Sequence, residues 1–344
     1  MTPVAAQLVA FDWLLPLLGT ALWRVARIAV FVAVGVYLAN VAVAFGVVER
    51  IAALSRYLTD PANLPDEVGT AILATTASTT AGYGMLAEFR ESGTLDDRAT
   101  LIAVTINTFF GFVQHIFTFY APVLIPILGL EVGLLYVGAR ASIALAITLV
   151  GILAGAVLLS DGNVDRTSMP DDVTAPDGGE ETTTREKLRS AADSTWDKMR
   201  DIVPRLAVVY VFVTILLERW DSISRGIESL TGVDPAGVAA VVESLTTLVG
   251  LPGAAVPVIT VFAFDTTLGA LTIAPLVGEV FTPRTAVATM LVGGIISFAF
   301  STFKRSIPFQ YGIWGAEFGS KVILVNTGLK VVFIGVTVVL LLVP

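Results

Sequence analysis

The chain has no cysteine and a single histidine among its 344 residues. The first absence excludes disulfides, thiolate metal ligands and cysteine nucleophiles together. The second, together with the lack of a Walker loop, an HExxH pair or a GxSxG elbow, leaves no enzyme signature. Clustered Lys and Arg, which a nucleic-acid surface needs, are also missing, and the net charge is −8. Charge of either sign is absent from whole stretches, including 28–48, 99–130 and 141–160. Alternating polar and apolar strands are absent as well, which leaves helices as the membrane-crossing element.

What is present is apolar. Hydrophobic residues make up 55% of the chain, charged residues 15%, and the mean hydropathy is +0.82. The uncharged stretches reach or exceed the roughly 20 residues needed to cross a ~30 Å hydrocarbon core. The composition therefore predicts an all-α integral membrane protein with the lipid bilayer as its first partner.

The sequence also repeats. Leu64, Pro65, Ile72, Thr79, Thr80 and Gly82 return 187 positions later as Leu251, Pro252, Ile259, Thr266, Thr267 and Gly269. At an offset of 186, Arg98, Phe112, Phe117, Pro122, Ile127, Gly129, Glu131 and Gly133 return as Arg284, Phe298, Phe303, Pro308, Ile313, Gly315, Glu317 and Gly319. Pro, Gly and charged residues rarely coincide by chance inside apolar sequence, so two copies of one membrane unit are predicted.

This divides the chain into four. Residues 1–21 lack a basic signal-peptide start and are expected to lie at the interface. Repeat one is 22–160, an acidic cytoplasmic linker is 161–201, with eleven Asp/Glu against six Lys/Arg, and repeat two is 202–344. Repeat one should hold a span over Leu22–Val47, an interfacial stretch Glu49–Leu58, a re-entrant hairpin Pro65–Ala87, a helix broken at Pro122 and Pro126 over Ala99–Leu130, and a closing span Glu131–Leu159. Repeat two should mirror it with a span Ile202–Glu218, an interfacial stretch Ser222–Val249, a hairpin Pro252–Val280, a broken helix Arg284–Gln310 and a span Glu317–Val343. Three crossings and one hairpin per repeat invert the second copy. The Lys and Arg distribution then puts the linker in the cytoplasm and both termini outside the cell membrane.

The two hairpin centres, TTASTTAGYG and FDTTLG, are where a solute site is expected, because unwound backbone at membrane depth is tolerated only where it lines a protein cavity. Ser78, Thr79, Thr80 and Gly82 align with Asp265, Thr266, Thr267 and Gly269. Their hydroxyls donate and accept, while glycine lets backbone approach a ligand; the same small residues also serve ordinary helix packing. Asp265 is costly amid apolar sequence unless it is paired, for instance with Lys304 or Arg305, or solvated at a site. Lys304 and Arg305 could equally attract an anion or snorkel to the interface. Asn107, Gln114 and Thr118 share a helical face, His115 sits beside them either as a hydrogen-bonded interior residue or as a contact to solute or proton, and Ser297 and Ser301 lie on the second broken helix. Glu131 and Glu317 suit first helical turns.

The order of span, interfacial helix, hairpin, broken helix and span, occurring twice, resembles the nucleoside-recognition (Gate) domain family. The stretches that carry the resemblance are LPDEVGTAILATTASTTAGYGMLAEF with TINTFFGFVQHIFTFYAPVLIP, and LPGAAVPVITVFAFDTTLGALTIAP with STFKRSIPFQYGIWGAEFG. That family is similar in architecture to concentrative nucleoside transporters, spore-maturation membrane proteins and the membrane part of ferrous-iron transporters. The resemblance implies nucleoside and sodium held by the tips and broken helices, here Ser78, Thr79, Thr80, Asn107, Asp265, Thr266, Thr267 and Ser301. Two departures stand out: the first tip lacks the carboxylate and amide expected for ribose and base, and no cysteine is available for an iron-type gate.

Two functions are carried forward. One is a transporter or permease for a small polar solute, with a nucleoside as the implied example, no resident cofactor, and Na⁺ or H⁺ as the candidate coupling ion through Asp265. The other is a non-transporting membrane component that docks partners on the same scaffold. A homo-oligomer is compatible with either.

Overall fold

The computed structural model describes residues 14–45, 59–165, 167, 183–218, 225, 229, 250–301 and 306–343. Among these the fold is helical, with isolated β-bridges and no strand. In chain order the helices are α1 (Leu14–Ala44), α2 (Asp66–Ala77), α3 (Thr79–Glu91), α4 (Asp97–Ile106), α5 (Thr108–His115), a π-helical stretch (Ile116–Leu124), α6 (Ile125–Leu128), α7 (Leu130–Leu158), α8 (Thr184–Glu218), α9 (Ala255–Phe264), α10 (Thr266–Ile273), α11 (Pro283–Ser301) and α12 (Ile307–Leu342). Among the described residues, four segments are long and apolar enough to cross a membrane: Leu14–Leu38, Asp97–Leu128, Leu130–Leu158 and Ile307–Leu342.

Local chemistry explains where these elements start and stop. Asp66 and Glu67 follow Pro65 in the first turn of α2, where carboxylates suit the helix dipole. Asp96 caps α4 by accepting from Ala99 N at 2.7 Å, and its other oxygen accepts from Asn163 Nδ2 at 2.7 Å. That second bond ties the turn after α3 to the end of α7. Gly129 (φ 80, ψ 166) and Gly315 (φ 73, ψ 167), 186 positions apart, take the same left-handed break that a side chain would resist. Glu131 and Glu317 each lie just beyond one, as expected of first-turn carboxylates.

Several boundaries differ from expectation. Residues 14–21 are helical and continuous with the rest of α1. The linker ends early, because Thr183 and Glu186 form a reciprocal cap, with Thr183 N to Glu186 Oε2 at 2.8 Å and Glu186 N to Thr183 Oγ1 at 3.3 Å. From that cap α8 runs unbroken through Pro204 to Glu218, and charge alone had placed its start at Ile202. Pro122 does not unwind the first long helix; it sits in the π-helical stretch, while Pro126 falls in the first turn of α6. The Glu49–Leu58 and Ser222–Val249 expectations lie outside the described residues, apart from the isolated helical positions 225 and 229.

Two helical hairpins organise the interior, α2–α3 and α9–α10. Each turns on one extended residue, Ser78 (φ −147, ψ 114) or Asp265 (φ −149, ψ 120). In both, glycine brings the arms together. A methyl group at Gly82 would overlap the Thr75 hydroxyl and lie 2.6 Å from the Ala71 carbonyl oxygen, and one at Gly269 would lie 2.5 Å from Phe262 Cα. The crossing of each hairpin with its long helix uses the same positions with different chemistry. In the first, Asn107 Nδ2 donates to Thr75 Oγ1 at 2.9 Å; in the second, Gly293 makes room for Phe262, whose Cβ would be 3.0 Å from an added methyl group. Thr with Asn and Phe with Gly fill one kind of node in two ways.

The halves are interleaved. Hairpin one packs against the Gly315 break of α12: Tyr83 meets Trp314 at 6.1 Å, Trp314 meets Phe318 at 5.4 Å, and the Arg90 guanidinium lies 4.2 Å from the Phe318 ring centre. Asp97 binds both Arg90 (2.7 Å) and Lys321 (3.0 Å) at the same corner. Hairpin two packs against the π-helical stretch and α7, through Tyr120, Tyr136 and Phe262 at 6.1 and 6.4 Å. Helices α1 and α8 lie side by side, joined by Asn40 Nδ2 donating to Thr195 Oγ1 at 3.2 Å.

Gly82→Ala should lower stability by about 1–3 kcal/mol, because its methyl group meets backbone and must part the arms. Gly84→Ala on the same helix meets nothing within 4 Å and should gain up to about 1 kcal/mol. Unfolding midpoints in one detergent compare the two, and equal shifts would contradict the close-contact reading.

Candidate functional site

An extended residue between two helices leaves backbone N–H groups at the start of the second helix without intrahelical partners. The two tips meet this need alike. Ser78 Oγ accepts from Ala81 N at 3.3 Å, and Asp265 Oδ1 accepts from Leu268 N at 2.9 Å. Asp265 is thus an N-cap. Among the described residues it has no ion-pair partner, and Lys304 and Arg305, the partners considered from sequence, lie outside them.

Both tips approach the same short length of helix. Thr79 Oγ1 donates to Gln114 Oε1 at 2.6 Å, one residue before His115. Asp265, Thr266 and Thr267 share a cavity of about 700 Å³ with His115 and Thr118. His115 Nδ1 lies 2.9 Å from the Gly111 carbonyl oxygen, which can only accept, so the neutral ring carries its proton there and keeps Nε2 as an acceptor. The expected alignment of Asn107, Gln114 and Thr118 holds for the first two, which reach Thr75 and Thr79 of hairpin one. Thr118 lies inside the π-helical stretch, where i→i+5 bonding advances the chain less per residue, and it borders the cavity instead.

The other expected residues fall elsewhere. Ser78, Thr79, Thr80 and Gln114 do not border this cavity, and Ser78 and Thr80 are exposed. Gly82 and Gly269 are buried against the opposite hairpin arm, so the backbone they bring close is the protein's own rather than a ligand's. Asn107 is 1% exposed, and its Oδ1 has no hydrogen-bond partner among the described residues. It marks the join of α4 and α5, where Thr148 Oγ1 donates to the Ile106 carbonyl (2.8 Å) and accepts from Phe109 N (3.1 Å). Ser297 borders the cavity; Ser301 ends α11.

One further cation borders the cavity and a second lies behind its wall. Arg140 in α7 borders the cavity, beside the Tyr120 and Tyr136 rings, with its guanidinium 5.7 Å from the Phe298 ring centre. Lys330 in α12 reaches the same ring at 5.6 Å. Each lies well inside a helix long enough to span, where a cation costs roughly 2.5–3.5 kcal/mol even on the lenient insertion scale. Among the described residues neither has a carboxylate within ion-pair distance. The signal was a single interior cation in an apolar run. It was passed over because Arg140 reads as the edge of the uncharged stretch 141–160, and Lys330 as one more residue of the closing span.

No protein-family model matches the chain, and no solved structure matches it. Two proteins of Methanocaldococcus jannaschii are similar over nearly their whole length. The uncharacterized protein MJ0871 is 23% identical over 332 residues, covering 94% of this chain and 95% of its own. The uncharacterized protein MJ0880 is 21% identical over 327 residues, covering 92% and 96%.

Thr75→Val removes the acceptor of the buried Asn107 amide and should destabilise by about 1–3 kcal/mol. Thr75→Phe combined with Asn107→Gly copies the second repeat's node, and should unfold later than Asn107→Gly alone. A double-mutant cycle on unfolding midpoints checks this, and strictly additive effects would refute the shared node.

Proposed function

We propose that the protein is a membrane transporter for a small polar solute, working by alternating access around its two hairpins. The observation that carries this reading is the cavity at the Asp265–Thr267 tip, walled by His115 and Thr118 of the other repeat and by Arg140. A volume of about 700 Å³ is in the range of small-molecule sites, and its ionisable lining is costly in lipid without a functional return.

The hairpin arms support re-entrance. At 1.5 Å per residue, α2 and α3 are about 18–20 Å long and α9 and α10 about 12–15 Å, short of a ~30 Å hydrocarbon core. A tip that enters and returns can move without unthreading a crossing. The matched caps at Ser78 and Asp265 and the matched breaks at Gly129 and Gly315 favour two copies of one unit. Inverted insertion of those copies, with the 161–201 side in the cytoplasm, supplies the two-fold relation that alternating access uses.

The solute enters between tip two and the π-helical stretch. Thr266, Thr267 and Thr118 offer hydroxyls, Asp265 offers its carboxylate to a hydroxyl, Na⁺ or H⁺, and His115 offers a ring nitrogen. A nucleoside is the solute that the Gate-family resemblance implies. Tip one, bonded to Gln114, serves as the partner gate rather than as lining in this conformation.

Asp265→Asn keeps an N-cap of equal quality, so the protein should remain folded while uptake into proteoliposomes falls to background. Asp265→Ala should lose uptake and also about 1 kcal/mol of stability. Wild-type uptake in Asp265→Asn across a panel of small polar solutes would remove Asp265 from the site. A wild-type protein that transports and binds no member of such a panel would favour partner docking.

A further inference from the structure

Arg140 borders the cavity, and a second cation, Lys330, stands outside the lining against the same ring, which narrows what the cavity can hold. Arg140 from α7 and Lys330 from α12 converge on one ring, Phe298, at 5.7 and 5.6 Å. Both side chains carry positive charge and face the same ring. Ring faces attract cations but neutralise none of their charge. Among the described residues the one carboxylate on the cavity is Asp265, already engaged with Leu268 N. The arrangement would be relieved by a negative group placed in the cavity, and a guanidinium presents the planar fork that matches a carboxylate or a phosphate.

The rest of the wall says what that group is attached to. Phe119, Tyr120, Phe262 and Phe298 border the same space as Arg140, Thr118 and Ser297. Aromatic faces with a few hydroxyls suit a flat body carrying hydrogen-bonding groups, not a bare inorganic ion.

We infer that the cavity takes a small organic anion, its carboxylate or phosphate held by Arg140 with Lys330 behind it and its planar body lying against the aromatic wall. This rests on the transport reading of the same cavity and sharpens it from a polar solute to a charged one. Lys330 is a positioning residue: it keeps Arg140 from turning back toward α12 and adds its field to the site.

The test uses pairs of probes that differ in charge but little in shape. Benzoate is compared with benzamide, and uridine 5′-monophosphate with uridine, by thermal stabilisation of the full-length protein in detergent, with inorganic phosphate as a further arm. The expected result is that an anionic member binds at least about tenfold more tightly than its neutral counterpart, the loss expected for one charge-assisted hydrogen bond. Stabilisation by benzoate assigns the carboxylate, and stabilisation by the monophosphate assigns the phosphate. Arg140→Gln should erase the difference and Arg140→Lys should restore part of it. Because the charged and neutral comparison is made on the wild-type protein, it stands even if Arg140→Gln does not fold. Equal binding within both pairs, benzoate with benzamide and uridine with its monophosphate, would overturn the anion inference and leave the transporter intact. Stabilisation by inorganic phosphate alone, with no effect of the organic anions, would overturn the role of the aromatic wall. Absence of any stabilisation, with uptake also at background for a broad panel, would overturn both readings.

Discussion

A backbone that reverses between two helices must find partners for the amides it frees, and the two hairpin turns are built around that requirement. Ser78 and Asp265 each adopt an extended conformation, end one short helix and cap the next. Each cap takes up one of the amides its turn frees, Ala81 N in the first and Leu268 N in the second. Glycine then lets the two arms close on each other, at Gly82 against Thr75 and at Gly269 against Phe262. The long helices, the cavity and the crossing nodes all take their positions from these two compact wedges.

Much of this architecture was legible in the sequence. Helix α7 begins within a residue of Glu131, whereas α12 starts at Ile307 and only kinks at Gly315, two residues before Glu317; a glycine with a carboxylate two positions later marks the break in both. The hairpin centres were legible for the same reason, as clusters of hydroxyl and glycine residues where a spanning helix would prefer Leu and Val. Less accessible were features decided by packing. Proline announced a break at 122, yet the surrounding residues hold it in i→i+5 helix, and only Gly129 leaves the helical region. The charge boundary at 201 suggested a linker end, but a cap eighteen residues earlier starts the helix. Residue types did not tell which candidates border the cavity; packing puts Asp265, Thr266, Thr267 and His115 on it and Thr80, Gln114 and the two glycines elsewhere.

The two hairpins share a backbone turn and differ in chemistry. Hairpin one has the polar node, Asn107 with Thr75, and a neutral cap; hairpin two has the apolar node, Gly293 with Phe262, and a charged cap. Volume is roughly conserved at each node while polarity is not, as core packing demands of exchanges that keep a fold. The consequence is a division of labour. The first hairpin is pinned to its neighbouring helix by two side-chain hydrogen bonds, from Asn107 and to Gln114, whereas the second faces open space and bears the ionisable group.

The interleaving of the halves reaches back to how the chain is made. Hairpin one completes its apolar surroundings with Trp314, Phe318 and Val322, more than two hundred residues downstream, and the larger cluster draws on Ile334. While the ribosome is still adding those residues, both wedges stand with an uncovered flank. Closure of both interiors therefore waits on α12, which is synthesised after the two hairpins it covers.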